Sequence, residues 1–169
     1  MSQIWFECKI RFTKTDQNGS ERIVAENYMI DAVTFTDAEA RITLQMRERV
    51  KGEFSVEDIK KSKLSEVFAY DSGEWWFRAA INLVTVDEEA GKEKKIKAYY
   101  LLNADDMKGA LQRLEESLGF LVIPYVVTSL SVSQIADVFP YEIFNIPVPE
   151  GFRSFDDLLA ERKQAADEA

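Results

Sequence analysis

From Ile4 the chain alternates. Ile4, Phe6, Cys8, Ile10 and Phe12 fall on one face of an extended segment, and Trp5, Glu7, Lys9 and Arg11 fall on the other. A period of two marks a half-buried β-strand. Thr15-Asp16-Gln17-Asn18-Gly19 then supplies turn residues, with Asn-Gly a strong hairpin signal. A second strand is predicted over about residues 22–31. There the period changes. Thr36 followed by Glu39 reads as a capping box. The helix it opens is predicted to run to about Val50, with Ala40, Thr43/Leu44 and Arg47 marking successive turns, and Gly52 ends it. Residues 54–63 and 64–70 read as one long bent strand or two short ones.

The same order then returns. Residues 75–86 alternate, with Trp75, Phe77, Ala79, Ile81 and Leu83 on one face. Asp87 to Gly91 is a turn, and residues 93–102 form the next strand. Asp105 or Asp106 caps a helix whose apolar stripe is Met107, Ala110, Leu111, Leu114 and Leu118, and Gly119 stops it. Leu121 to Leu130 is so apolar that it reads as a central strand. Val132 to Phe139 closes the unit before Pro140.

This recurrence extends to single residues. Trp5-Phe6 reappears as Trp76-Phe77, and an offset of 71 carries Ile10 onto Ile81, Asp16 onto Asp87, Tyr28 onto Tyr99 and Val56 onto Val127. It also carries Val67-Phe68 onto Val138-Phe139 and Tyr70 onto Tyr141, while an offset of 70 aligns Ala40 with Ala110 in the helices. The expected architecture is α+β, a tandem duplication of a β-β-α-β unit, with repeats at about 4–70 and 75–141. One unit of roughly 65 residues is marginal alone. The join Asp71-Ser72-Gly73-Glu74 is too short for a free linker, so residues 1–141 are expected to form one pseudo-twofold domain. Residues 142–169 differ: a proline-containing strap precedes a short acidic helix capped by Ser154, with Phe155, Leu158 and Leu159 as its apolar stripe.

Composition narrows the chemistry. The 169 residues carry a net charge of −9, which argues against a general polyanion binder. Residues 142–169 hold seven acids against three bases, so −4 of that charge lies there. Histidine is absent and Cys8 is the single cysteine. Neither a zinc site of the usual type nor a Cys-His or Ser-His dyad can be assembled. No apolar run approaches the ~20 residues needed to span a bilayer. The first residues lack a secretory pattern, and a lone cysteine suits a reducing cytosol, so a cytoplasmic location is expected.

The segments WFECKIRF, IDAVTFTDAEARI, GEFSVEDIKKSKLSEVF and DVFPYE, in that order, give the chain a resemblance over residues 4–142. It resembles a family of domains of unknown function common in Bacteroidetes genomes and in their phages and mobile elements. The resemblance implies a cytosolic bacterial or phage protein and brings no activity with it.

Two surfaces are candidates for binding. On the outer face of the first strands, Trp5, Lys9 and Arg11 are matched in the second unit by Trp76 and Arg78. Lys95 and Lys97, within the cluster Lys92, Lys94, Lys95 and Lys97, lie on the adjoining strand. Aromatics beside cations on an open sheet hold single-stranded nucleic acid, the bases stacking and the cations meeting phosphates. The bland alternative packs Trp5 against Trp76 as core and leaves the lysines to guard an edge. The second surface is the tail, where Phe155, Leu158 and Leu159 would dock on a protein partner or on the body of the chain. Asp71, Glu74, Asp105, Asp106, Asp156 and Asp157 have no metal-loop spacing, and no glycine-rich phosphate loop appears. The expectation is therefore a non-enzymatic binding protein without metal or cofactor. Its ligand is single-stranded nucleic acid, or alternatively a protein engaged by an acidic adaptor or inhibitor. Exposure of Trp5 and Trp76 separates the two.

Overall fold

The structure, a computed structural model, describes residues 4–140; the proposed strap and tail helix, with Phe155, Leu158 and Leu159, lie outside the described residues. The first half runs β1 (Ile4–Thr15), β2 (Glu21–Ala32), α1 (Phe35–Arg49), β3 (Phe54–Lys61) and β4 (Leu64–Phe68). The second runs β5 (Trp75–Asp87), β6 (Lys92–Ala104), α2 (Met107–Ser117), β7 (Tyr125–Val132) and β8 (Ile135–Phe139). These strands build two four-stranded sheets, sheet A in the order β3-β1-β2-β8 and sheet B in the order β4-β6-β5-β7. Each half thus gives its last strand to the other half's sheet. The donated strands pair in parallel, β8 with β2 and β4 with β6; the remaining pairs are antiparallel.

Alternation in β1 and β5 decides the layering. Phe6, Cys8 and Ile10 meet Tyr28, Ile30 and Ala32 beneath α1, whose Ala38, Ile42 and Met46 complete a buried cluster. Phe77, Ala79 and Ile81 meet Tyr100, Leu102 and Ala104 beneath α2, whose Ala110, Leu114 and Leu118 do the same. A third cluster on the opposite sheet faces holds Trp5, Met29, Leu101 and Val138, with Trp76, Leu64, Val67 and Ile135 against it. The order is therefore helix, sheet, sheet, helix. Burial of three apolar clusters, each non-directional and proportional to area, is what holds these layers together.

The exchanged strands are fixed by matching contacts. Tyr28 stacks on Phe139 of β8 at 5.7 Å between ring centroids, and Tyr100 stacks on Phe68 of β4 at 5.2 Å. Ser62 N–H donates to the Trp5 carbonyl at 2.8 Å, and Ser133 N–H donates to the Trp76 carbonyl at 2.7 Å. The hydroxyls of Ser62 and Ser133 then accept from the backbone N–H of Leu64 and Ile135. From α1, Arg49 reaches Asp137 of β8 at 2.7 Å and lies over both Tyr28 and Phe139.

Several local expectations change. The capping box sits two residues earlier, with Thr34 Oγ1 accepting from Asp37 N–H and Asp37 Oδ2 accepting from Val33 N–H. Starting there turns the buried stripe onto Ala38, Ile42 and Met46 rather than Ala40, Thr43/Leu44 and Arg47. The helices then correspond at an offset of 72, Ala38 with Ala110 and Ile42 with Leu114. The second strands share this offset: Tyr28 matches Tyr100, not Tyr99, because the registers Ile4↔Ala32 and Trp75↔Ala104 place one more residue in the second hairpin. In α2, Asp106 is the cap, its Oδ1 accepting from Gly109 N–H, while Asp105 accepts from Glu74 N–H. Met107 and Leu111 lie exposed beside the stripe, not in it, and Trp75 is exposed at the start of β5.

The largest correction concerns the apolar segment after α2. The expected central strand Leu121–Leu130 is β7, Tyr125–Val132, and it lies at the edge of sheet B. The possible long strand after α1 is two, β3 and β4, split between the sheets.

The join between halves is tied down rather than free. The Asn103 side chain exchanges two hydrogen bonds with the Tyr70 backbone, accepting from its N–H at 2.7 Å and donating to its carbonyl at 2.8 Å. Arg113 donates to the carbonyls of Ser72 and Asn103 and lies over the Tyr70 ring. Gly73 is required here because an added Cβ would stand 2.7 Å from the Ala104 nitrogen. At the corresponding place in the first half, buried Asp31 meets Arg41 at 2.8 Å.

Candidate functional site

The alternation that sends Phe6 and Phe77 under the helices throws Trp5, Glu7, Lys9 and Arg11, and Trp76 and Arg78, onto the opposite faces. Those faces turn toward each other. Trp5 is only 8 % exposed, and Trp76 is half-buried against the same cluster. The expectation of a solvent-facing Trp5 is thereby corrected: the two sheets use the tryptophans as the apolar contact between them. Large aromatics supply much area to such contacts.

Next to the tryptophans the sheets leave a cleft of about 150 Å³, lined by Glu7, Asn27, Arg78, Leu101, Ser133 and Gln134 among others. Typical small-molecule sites are about 300–1,000 Å³, so this one is small. Glu7 accepts from Asn27 Nδ2 at 3.1 Å and lies 3.9 Å from Lys60 Nζ. The Arg78 guanidinium sits over the Tyr99 ring at 5.0 Å, a cation–π contact.

Beyond the cleft the cations spread out. Lys9 is exposed, and exposed Arg11 is 2.9 Å from Glu57. Lys97 and Lys95 stand opposite Asn82 and Val84 of β5, on the face that carries Trp76 and Arg78. The structure therefore gathers Trp76, Arg78, Lys95 and Lys97 on one face of sheet B and Trp5, Lys9 and Arg11 on the facing side of sheet A. The aromatic ends are covered, and the cationic ends are open.

Cys8 lies fully buried under α1. Burial, with smaller contributions from Glu7 and Asp58, pushes its thiol up to about 12. The thiolate is the nucleophilic form, so this position disfavours reactivity. Burial likewise raises the Tyr28 phenol, helped by its hydrogen bond to Glu26 at 2.7 Å.

A second surface escaped the motif reading. Residues 117–136 contain no charged residue, in a chain where 30 % of residues are charged. They form the end of α2, the connection to β7, β7 itself, and the turn into the first residues of β8. Within them Phe120 is 69 % exposed and Val122 95 %, and Ile123, Val126 and Val132 are exposed too. The signal in the sequence is the absence of charge, while the apolar composition of the same segment reads as interior.

The profile of a domain of unknown function, DUF4494, matches residues 4–141, most of the chain. The chain belongs to the DUF4494 family. The matched span contains both sheets, both helices and all of the strand exchange. The comparison with curated proteins finds no match, and the comparison with solved structures finds none either. Among the described residues, no helix is long and apolar enough to cross a membrane.

Proposed function

We propose that this member of the DUF4494 family is a non-enzymatic protein-binding module that engages another polypeptide through the connection before β7 and the β7 edge. The observation that carries this reading is an apolar, uncharged and solvent-exposed segment running along a sheet edge that has no further partner strand among the described residues. Exposed apolar surface of this kind marks interaction sites, and an open edge offers a row of backbone donors and acceptors to a partner strand. Burial of Trp5 supports it further, because the stacking platform of the rival reading loses its first aromatic. The buried, weakly acidic Cys8 and the lack of histidine support a role without catalysis.

Single-stranded nucleic-acid binding remains a second reading, favoured by one observation: Arg78, Lys95 and Lys97 share a face with half-buried Trp76. The acidic tail, with Phe155, Leu158 and Leu159, is an additional protein contact in the first reading. The matching hydrogen bonds of Ser62 and Ser133 and the matching aromatic stacks support descent of both halves from one duplicated unit. Bacterial or phage origin and a cytosolic location belong to the same proposal.

Two measurements on the full chain decide between the readings. Titration with a single-stranded oligonucleotide at low and moderate salt is expected to leave tryptophan emission unchanged. Salt-dependent quenching would favour nucleic acid. Capture of a protein partner after nuclease treatment is expected to persist with the native chain and to be lost with Val126→Lys.

A further inference from the structure

We infer that the partner of the β7 edge is a second copy of this chain, the two β7 strands pairing antiparallel so that two copies of sheet B join into one continuous sheet. This inference rests on the protein-binding reading above and names its occupant.

The position of β7 and its sequence disagree. YVVTSLSV, preceded by GFLVIP, is the composition of a strand with neighbours on both sides, yet among the described residues β7 has a neighbour only in β5. Proteins blunt open edges with charge. The other three edge strands follow that rule: β3 carries Glu57, Asp58, Lys60 and Lys61, β4 carries Glu66, and β8 carries Asp137. The β7 edge alone carries none. The bulge there does not replace the missing charge, since β3 bulges at the matching place and is charged as well. Thr128, within the irregular stretch of β7, is exposed, and its hydroxyl donates to the Ala80 carbonyl at 3.1 Å.

Charge also selects the occupant. Each copy carries a net charge of −9, so two copies repel over most of their surfaces. A twofold axis between paired strands sets each segment against itself, and like charges placed directly opposite destabilise a sheet. A segment with no charge from residue 117 to 136 is the place where that opposition vanishes. Antiparallel pairing has a second consequence. The connection with Phe120, Val122 and Ile123 precedes β7, and Val132 ends it, so the apolar connection of one copy falls beside the far end of the strand in the other. Backbone pairing and apolar contact then reinforce each other.

The test is the mass of the full chain by light scattering at about 1 and 100 µM, concentrations that bracket a dissociation constant of roughly 10 µM. Three proteins are compared: the native chain, the double variant Val126→Lys/Val132→Lys, and Leu44→Lys on the exposed side of α1. Val126, Val132 and Leu44 are 57 %, 54 % and 59 % exposed, so the folded chain tolerates these lysines and far-UV circular dichroism is expected to be unchanged. The native chain and Leu44→Lys are expected at twice the monomer mass at the higher concentration, the double variant at the monomer mass. Amide exchange over residues 125–132 should slow with concentration in the native chain only. A native chain monomeric at both concentrations, or a double variant that still dimerises, overturns the inference. If the native chain is monomeric while Val126→Lys still abolishes capture of a different protein, self-pairing fails and the protein-binding reading stands. If capture is also insensitive to Val126→Lys, both fail.

Discussion

Replacing Trp5 by alanine tests the layering of the fold at its centre. Trp5 is 8 % exposed and packs among Met29, Leu101 and Val138, with Trp76, Leu64, Val67 and Ile135 around them. A buried tryptophan removes about 150–250 Å² from water. At about 25 cal/mol per Å² this is worth roughly 4–6 kcal/mol. A compact unfolded chain already hides about 10–40 % of such area, which lowers the figure. Direct truncations of buried Phe and Trp cost about 3–5 kcal/mol, in agreement. The expected loss for Trp5→Ala is therefore about 3–5 kcal/mol, a large part of the roughly 5–15 kcal/mol that stabilises a typical domain. The assay is urea unfolding followed by circular dichroism, with Trp5→Phe as a milder companion expected to lose clearly less. Were Trp5 a stacking platform on an open face, truncation would fall within about 0.5 kcal/mol of the native chain. A measured loss below about 1 kcal/mol would mean that Trp5 is not packed between the sheets, because no buried-cavity mechanism yields so little for this residue.

Other substitutions probe the remaining supports. Arg41→Met leaves the buried Asp31 carboxylate without the guanidinium 2.8 Å away, and a loss of about 3–5 kcal/mol in denaturant unfolding is expected, with Asp31→Leu/Arg41→Met recovering much of it. Gly73→Ala drives a methyl group to 2.7 Å from the Ala104 nitrogen, and overpacking of about 1–3 kcal/mol is expected as a lowered melting temperature. The Cys8 thiol rises from 9.0 to about 12 on folding, so the folded state holds its proton longer than the unfolded state does. Its contribution is complete below pH 9.0 and is lost as pH climbs toward about 12; Cys8→Ala should flatten that part of a stability-against-pH profile. A thiol reagent at pH 8 should label Cys8 only after denaturant is added.

The parts of the fold legible in the sequence were those with local causes. Alternation in β1 and β5, the turn at Asp16 to Gly19 and the cap at Asp106 or Asp105 are written in neighbouring residues, and the structure keeps them. Exchange of β4 and β8 has no local cause: both strands read as the close of their own halves, and only tertiary pairing sends each across. The α1 stripe was misplaced because Thr34 and Thr36 are both credible caps. Only the bond from Asp37 N–H to Thr34 Oγ1 fixes the start. At the candidate site, the face of Trp5 and Trp76 was readable, but what lies over it was not, because the cover is the other sheet. The β7 segment shows the reverse case. Its apolar composition implies a central strand, and its place in the structure is the edge of sheet B.

In the proposed function, this molecule works through the uncharged edge of sheet B and not through the faces that carry its tryptophans. Amide hydrogen exchange on the full chain separates the two readings when run dilute, run concentrated, and run dilute with excess single-stranded oligonucleotide. Slower exchange over residues 120–132 is expected in the concentrated sample, and no change anywhere with oligonucleotide. Protection by oligonucleotide around Lys9, Arg11, Arg78, Lys95 and Lys97, with residues 120–132 unchanged by concentration, would contradict it.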